Sequence, residues 1–111
     1  MNNKHIGPQT VALSAPPSVV AFSNIGGKME SRGPLAKYFD ELSRDSFFGE
    51  KTWEKGESAM QKKVLGRALK KGGMEASQLD YVLAGDLLNQ CIGTSFGLRD
   101  FGVPFYGLYG A

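Results

Sequence analysis

The stretch that most constrains this chain is its last third, Leu79 to Ala111, where two short strand-like runs bracket a helix-like one. Tyr81-Val82-Leu83-Ala84 is a brief apolar run closed by the Gly85-Asp86 turn, which predicts a buried parallel strand. Phe105 to Tyr109 is aromatic-rich and predicts a second strand. Between them lie Ile92, Phe96 and Arg99-Asp100-Phe101, with Gly102 where a helix would end and Pro104 just beyond. Two parallel neighbours need such a crossover, and a right-handed one is expected.

In open α/β sheets, chemistry gathers in the crevice beyond the carboxyl ends of the strands. Gly85-Asp86 leaves one strand at that edge and Gly110-Ala111 leaves the next. The chain thus stops as it reaches the rim where a site would be. The expectation is a piece of a longer protein, or a function that needs something beyond these residues.

A chain of 111 residues supports one domain at most, and its 41% hydrophobic content suits a soluble globular fold. The formal charge of +2 is nearly balanced and offers no clustered basic face for nucleic acid. A single cysteine, Cys91, excludes an internal disulfide and makes a reducing compartment the default. Pro16-Pro17 breaks the longest apolar run, so no membrane-spanning helix is expected. Met1 to His5 lacks the apolar core of a signal peptide. A cytoplasmic protein follows, at most peripheral to a membrane.

Taken in order, residues 1–9 are polar and predict a disordered terminus, with the single histidine, His5, in that tail. Thr10 to Leu13 and Val19 to Phe22 are β-prone runs around Pro16-Pro17, which predicts a hairpin or sharp corner. Gly26-Gly27-Lys28 invites a phosphate-loop reading, but neither G-x-x-x-x-G-K-[ST] nor G-x-G-x-x-G is present, and a strand-to-loop exit accounts better for the glycines. Pro34 suits a first helical position, and Leu35, Tyr38, Phe39 and Leu42 follow at helical spacing. Asp40, Glu41 and Asp45 are then the solvated side and end of that short helix, not a paired-carboxylate site.

Thr52 is the expected N-cap of a second helix running to about Lys71, with Glu54 in its first turn. Trp53, Met60, Val64 and Ala68 share its apolar face, flanked by Leu65. Glu57 falls within that face, and a carboxylate there needs a partner, so it is expected to be a structural hydrogen-bond acceptor. Lys62, Lys63, Arg67, Lys70 and Lys71 answer the helix dipole without any ligand. Gly72-Gly73 ends the helix. The resulting order of hairpin, helix, helix, strand, helix, strand predicts an α/β fold, and its open sheet edge predicts a C-terminal continuation.

Three strings resemble one family. They are Gly33-Pro34-Leu35 leading to Phe39-Asp40, then Phe48 to Ser58 (Phe-Gly-Glu-Lys-Thr-Trp-Glu-Lys-Gly-Glu-Ser), then Leu83-Ala84-Gly85-Asp86-Leu87-Leu88-Asn89-Gln90 with Gly102 to Phe105 and Gly107 to Ala111. Together they resemble the amino-terminal part of the stage V sporulation protein AD family of endospore-forming bacteria. The Ala-Gly-Asp-Leu-Leu-Asn-Gln string is the most specific, because thiolases and ketoacyl synthases carry different residues there. The resemblance covers the chain from about Val19 onward and roughly the first third of a family member. It implies the N-terminal part of a thiolase-like fold, a mixed or mostly parallel sheet with flanking helices, incomplete in this chain.

The resemblance further implies a non-catalytic, soluble subunit that binds dipicolinic acid, as its calcium salt, and works beside membrane-embedded subunits of a spore transport system at the inner membrane. It implies a homodimer for the full-length protein, no cofactor and no nucleic acid. Gly110-Ala111 resembles the turn before the nucleophilic Cys of true thiolases, so the alternative is a fragment of an acyl-condensing enzyme whose Cys follows Ala111. The binding residues expected are Asp86, Asn89, Gln90, Gly110 and Ala111. Asn89 and Gln90 have amides to donate to ligand carboxylates, and Asp86 can accept or meet calcium. Against that, Asp86 at a turn suits capping of the following helix or a subunit interface better than ligand contact. Cys91 is expected to be a small buried thiol, not the nucleophile.

Overall fold

A computed structural model of the protein describes residues 4–109. Along the chain run β1 (Lys4–Ile6), β2 (Thr10–Ala12), β3 (Ile25–Gly26), 3-10 turns at Glu30–Arg32 and Ala36–Tyr38, β4 (Glu41–Leu42), α1 (Trp53–Gly72), a 3-10 turn at Ala76–Gln78, β5 (Val82–Ala84), α2 (Ile92–Leu98), a 3-10 turn at Arg99–Phe101, and β6 (Phe105–Gly107). The strands pair as β1 with β2 antiparallel, β3 with β4 parallel and β5 with β6 parallel. The architecture is α/β with both kinds of pairing.

α1 forms where its signals place it. Thr52 is extended and its side chain accepts from Lys55 N at 3.2 Å, while Gly73, left-handed at φ 63°, closes the helix with its N–H on Leu69 and Lys70 carbonyls. The terminal strand–helix–strand unit also forms. Val82, Leu83 and Ala84 lie opposite Phe105, Tyr106 and Gly107 in parallel register, and Gly102 is left-handed at φ 65° after the short helical run. The second strand stops at Gly107, two residues short of the expected Tyr109. The expectation of a strand buried on both faces does not hold: β5 and β6 alternate, with Leu83 60% and Tyr106 61% exposed on one open face.

Three expectations for the first half are corrected. The terminus is not frayed from residue 4: Lys4–Ile6 pairs with Thr10–Ala12 around a turn where Gly7 takes φ 71°, so His5 is an exposed strand residue facing Val11 in the register. Residues 1–3 lie outside the described residues. Val19 to Phe22 is consequently no strand, and Val19, Val20 and Phe22 stand exposed.

The helix expected after Pro34 is absent. Phe39 is extended at φ −80°, ψ 141°, and the chain enters β4 instead. Competing partners explain the outcome. Asn24 and Asp40 exchange two bonds, Asp40 N to Asn24 Oδ1 at 2.7 Å and Asn24 N to Asp40 Oδ2 at 3.1 Å, and these extend the β3–β4 ladder. Of the expected helical stripe, Phe39 and Leu42 pack onto Gly26, where a Cβ would meet their side chains at 2.9 and 2.7 Å, while Leu35 and Tyr38 remain exposed.

The third correction concerns charge. Asp40 and Glu41 do not point idly at solvent but bind α1. Lys71 reaches Asp40 at 3.0 Å, and Lys63 and Arg67 reach Glu41 at 2.9 and 2.7 Å. The Lys71 bond and the Asn24 N–H hold the Asp40 carboxyl below its ordinary range, and Lys63 does the same for Glu41. Asp45 serves a different turn, accepting from Phe47 N at 3.0 Å and Gly49 N at 2.7 Å. Trp53 leaves the apolar face of α1 and stacks on Phe47 with ring centres 4.4 Å apart.

The tightest packing joins α1 to α2. Gly93, Thr94, Gly97 and Leu98 of α2 are buried, with Cys91, while Gly56 of α1 is buried against the Phe47 backbone, where a Cβ would meet Phe47 O at 2.9 Å. Gly97 lies so close that a Cβ would meet Ser58 O at 2.6 Å, which only glycine permits. Among the described residues no helix is long and apolar enough to cross a membrane.

Candidate functional site

The candidate site is the loop leaving β5, residues 85–91, at the carboxyl ends of the parallel β5–β6 pair. β6 runs on past Gly107 beside it: Leu108 N donates to Ala84 O at 2.8 Å. Gly85 makes this approach possible, since a Cβ there would meet Leu108 O at 2.6 Å. The expected shared rim is therefore present as far as Tyr109. Gly110 and Ala111 lie outside the described residues.

Asp86 organises the loop. Its Oδ1 accepts from Asn89 N at 3.3 Å and Cys91 N at 3.0 Å, and its Oδ2 from Thr94 N at 2.9 Å and Thr94 Oγ1 at 3.0 Å. Desolvation raises its pKa, but the Thr94 and Cys91 N–H groups, with the other two donors, outweigh it and leave the carboxyl below its ordinary range. Four donors fill the lone-pair sites of one carboxylate. Asp86 thus caps the entry into α2 and has no oxygen to spare.

Gathering those N–H groups bends the backbone. Gln90 and Cys91 take φ 46° and 71°, a left-handed conformation that non-glycine residues adopt at a cost of about 1 kcal/mol or more each. Gln90 is thereby turned outward, exposed, with no side-chain hydrogen bond among the described residues. Cys91 is turned inward, 3% exposed, with Sγ about 3.0 Å from where a Gly107 Cβ would stand. Its thiol is a packing group, as expected.

α1 grips this loop and the first turn of α2 from below with four side chains at i, i+3, i+4 and i+7. Glu54 Oε1 accepts from Asn89 Nδ2 at 3.2 Å, Glu57 Oε1 accepts from Leu87 N at 3.2 Å, Ser58 Oγ donates to Gly93 O at 2.8 Å, and Gln61 Nε2 makes a longer 3.5 Å contact with Gly85 O. Glu57 has the acceptor role expected of it. Its second oxygen, Oε2, is buried without a hydrogen-bond partner, and a Cβ at Gly93 would lie 3.1 Å from it and 3.4 Å from Asp86 Oδ2.

The structure brings Asp86, Asn89 and Gln90 to one loop. Sequence reasoning missed Glu54, Ser58, Gln61 and Thr94 as parts of it. The α1 residues had a readable signal, a polar stripe at helical spacing beside the apolar one. Thr94 had none, because its partner lies eight residues away across an irregular turn. Among the described residues no group of three or more His, Cys, Asp or Glu side chains is arranged to hold a metal ion.

Comparison with known proteins agrees with the family that the sequence resembles. The sequence model of the family described as Stage V sporulation protein AD (SpoVAD) matches residues 7–111. The chain is 32% identical over 108 residues to "Stage V sporulation protein AD" of Bacillus subtilis (strain 168). That match takes in 97% of this chain and 32% of the relative, so the chain spans about a third of the relative's length. Matched over nearly all of its residues, the chain belongs to the stage V sporulation protein AD family.

Proposed function

We infer that this chain supplies a non-catalytic, dipicolinate-binding surface to a sporulation protein, at the loop that leaves β5. The observation that carries the reading is Gln90: an exposed amide, free of partners among the described residues, held outward by a left-handed backbone that Asp86 enforces. A pyridine dicarboxylate needs neutral donors for its carboxylates; Gln90 offers a whole amide, and Asn89, exposed, the one N–H that it does not give to Glu54.

Asp86 acts in this reading as a positioning residue. Its oxygens already accept four hydrogen bonds, so calcium travelling with the ligand is held by the ligand's own carboxylates. Gly110 and Ala111, the other two residues expected at this site, lie outside the described residues. Cys91, 3% exposed, packs inside the loop and takes no part in the binding. The whole protein would have a thiolase-like layered fold, form a homodimer and work beside membrane-embedded subunits at the spore inner membrane.

Isothermal titration calorimetry with dipicolinate, with and without calcium, tests the reading. Binding that falls at least about tenfold in Asn89→Ala/Gln90→Ala supports it. Absence of binding, or binding indifferent to those changes, removes it. The condensing-enzyme alternative requires a Cys directly after Ala111; intact-mass measurement of the full-length protein after incubation with an acyl-CoA is expected to find no adduct, and acylation of such a Cys would favour that alternative.

A further inference from the structure

The β3–β4 pair has a crevice of its own. In the parallel register Gly26 faces Leu42, so Lys28 and Arg44 each lie two residues beyond the paired ends, on the carboxyl side of both strands. The 3-10 turn at Glu30–Arg32 adds Ser31 and Arg32 to the same place, and Ser31 Oγ donates to Lys28 O at 2.8 Å to fold the turn over. Lys28, Ser31, Arg32 and Arg44 together line a pocket of about 200 Å³.

The three cations of this pocket are exposed and form no ion pair among the described residues. On α1, by contrast, Lys62, Lys63, Arg67 and Lys71 each meet a carboxylate. The acids near the pocket keep their charge but hold backbone N–H groups and form no ion pair with the three cations among the described residues. Glu30 Oε2 accepts from Gly27 N at 2.9 Å, and Asp45, close enough for Lys28 to act on it, accepts from Phe47 N and Gly49 N. Three like charges round one small concavity repel each other until an anion sits among them.

The donor set selects the anion. Two guanidinium forks and one ammonium approach from separate elements. A flat carboxylate has two oxygens in one plane, matched to one fork, whereas the terminal oxygens of a phosphate point in three directions and can meet all three cations at once. The position, beyond the carboxyl ends of a parallel pair, is where α/β folds collect such ligands. We propose that Lys28, Arg32 and Arg44 form a phosphate-binding site, recognising the phosphate monoester of a soluble compound or of a lipid headgroup. It shares no lining residue with the loop at 85–91 and does not depend on the dipicolinate reading.

The test uses the 111-residue chain and the double variant Arg32→Gln/Arg44→Gln, with Lys37→Gln/Lys51→Gln as a control of equal charge loss outside the pocket. Titration with inorganic phosphate at low ionic strength, followed by amide NMR, is expected to shift residues 27–32 and 44 in the unsubstituted chain. Affinity is expected to fall at least about tenfold in the pocket variant and to stay unchanged in the control. Sedimentation with phosphatidylcholine vesicles, with and without phosphatidate, distinguishes the sources. Pelleting that needs both phosphatidate and the two arginines assigns a lipid headgroup, and phosphate binding without pelleting assigns a soluble ligand. Binding to neither probe, equal losses in both double variants, or shifts confined to other residues would overturn the proposal.

Discussion

Asp86 and Thr94 are joined twice: one carboxylate oxygen accepts from the Thr94 backbone N–H at 2.9 Å and from its hydroxyl at 3.0 Å. Thr94 has no solvent exposure, so neither donor could turn to water if the carboxylate were lost. This link fastens the end of β5 to the start of α2 and sets where Asn89 and Gln90 stand.

Removing either end is therefore expected to be costly. Asp86→Asn puts an amide NH2 against backbone donors and should destabilise by about 2–3 kcal/mol, and Thr94→Val, which keeps the shape, by about 1–2 kcal/mol. The double variant should lose less than the sum, because both changes break one shared interaction. Urea denaturation of the four proteins measures the coupling, and strict additivity would contradict the link.

Two helical glycines should respond in opposite directions. A Cβ at Gly97 would sit 2.6 Å from Ser58 O, so Gly97→Ala has to push α2 off α1, at about 1–3 kcal/mol. At Gly66, inside α1, the nearest atom is 3.9 Å away on Phe101, so Gly66→Ala should stabilise by about 0.5–1 kcal/mol through helix propensity. Thermal melts of the two variants should bracket the parent.

Glu57 offers a finer contrast. Gln at this position keeps an acceptor for Leu87 N and takes one of two neighbouring carboxylates out of the site beside Asp86, so Glu57→Gln should match or exceed the parent in stability at neutral pH. Glu57→Ala leaves the Leu87 N–H to water and should cost about 0.5–1.5 kcal/mol. Amide hydrogen exchange at Leu87 should quicken in the alanine variant alone.

Acid should weaken the fold. Asp86, Asp40 and Glu41 all have carboxyl groups held below their ordinary range in the folded chain. Below the ordinary titration range, about pH 4, the unfolded chain binds protons that the folded chain refuses. The stabilisation is therefore complete above that range and lost as pH falls through the folded values. Melting temperature should be nearly level from neutral pH to about 5 and drop below about 4, with a shallower drop in Asp86→Asn. A melting temperature that rises on acidification would contradict the assignment.

Local chemistry accounts for the elements that the chain announced. Thr52 and Gly73 bound α1, and Gly102 and Pro104 bound the approach to β6, because caps and breakers act over a few residues whatever the surroundings. The segment 34–45 shows where that stops working. Its apolar residues kept a helical period, yet strand pairing with Ile25–Gly26 and the Asn24–Asp40 exchange satisfied its backbone instead. Such partners lie sixteen residues away, beyond any local pattern.

Family membership was legible in the order of amino acids alone, and Asp86, Asn89 and Gln90 of the exit loop stand close enough along the chain to share a loop whatever the fold. What each residue does there was decided in three dimensions. Only the approach of α1 and α2 made Asp86 a saturated anchor, left Gln90 outward and Cys91 inward, and buried one oxygen of Glu57. Only the β3–β4 register gathered Lys28, Arg32 and Arg44 round one pocket. The physical reason is the same in both places: hydrogen-bond saturation and the spacing of charges belong to neighbours in space, and folding alone selects those neighbours.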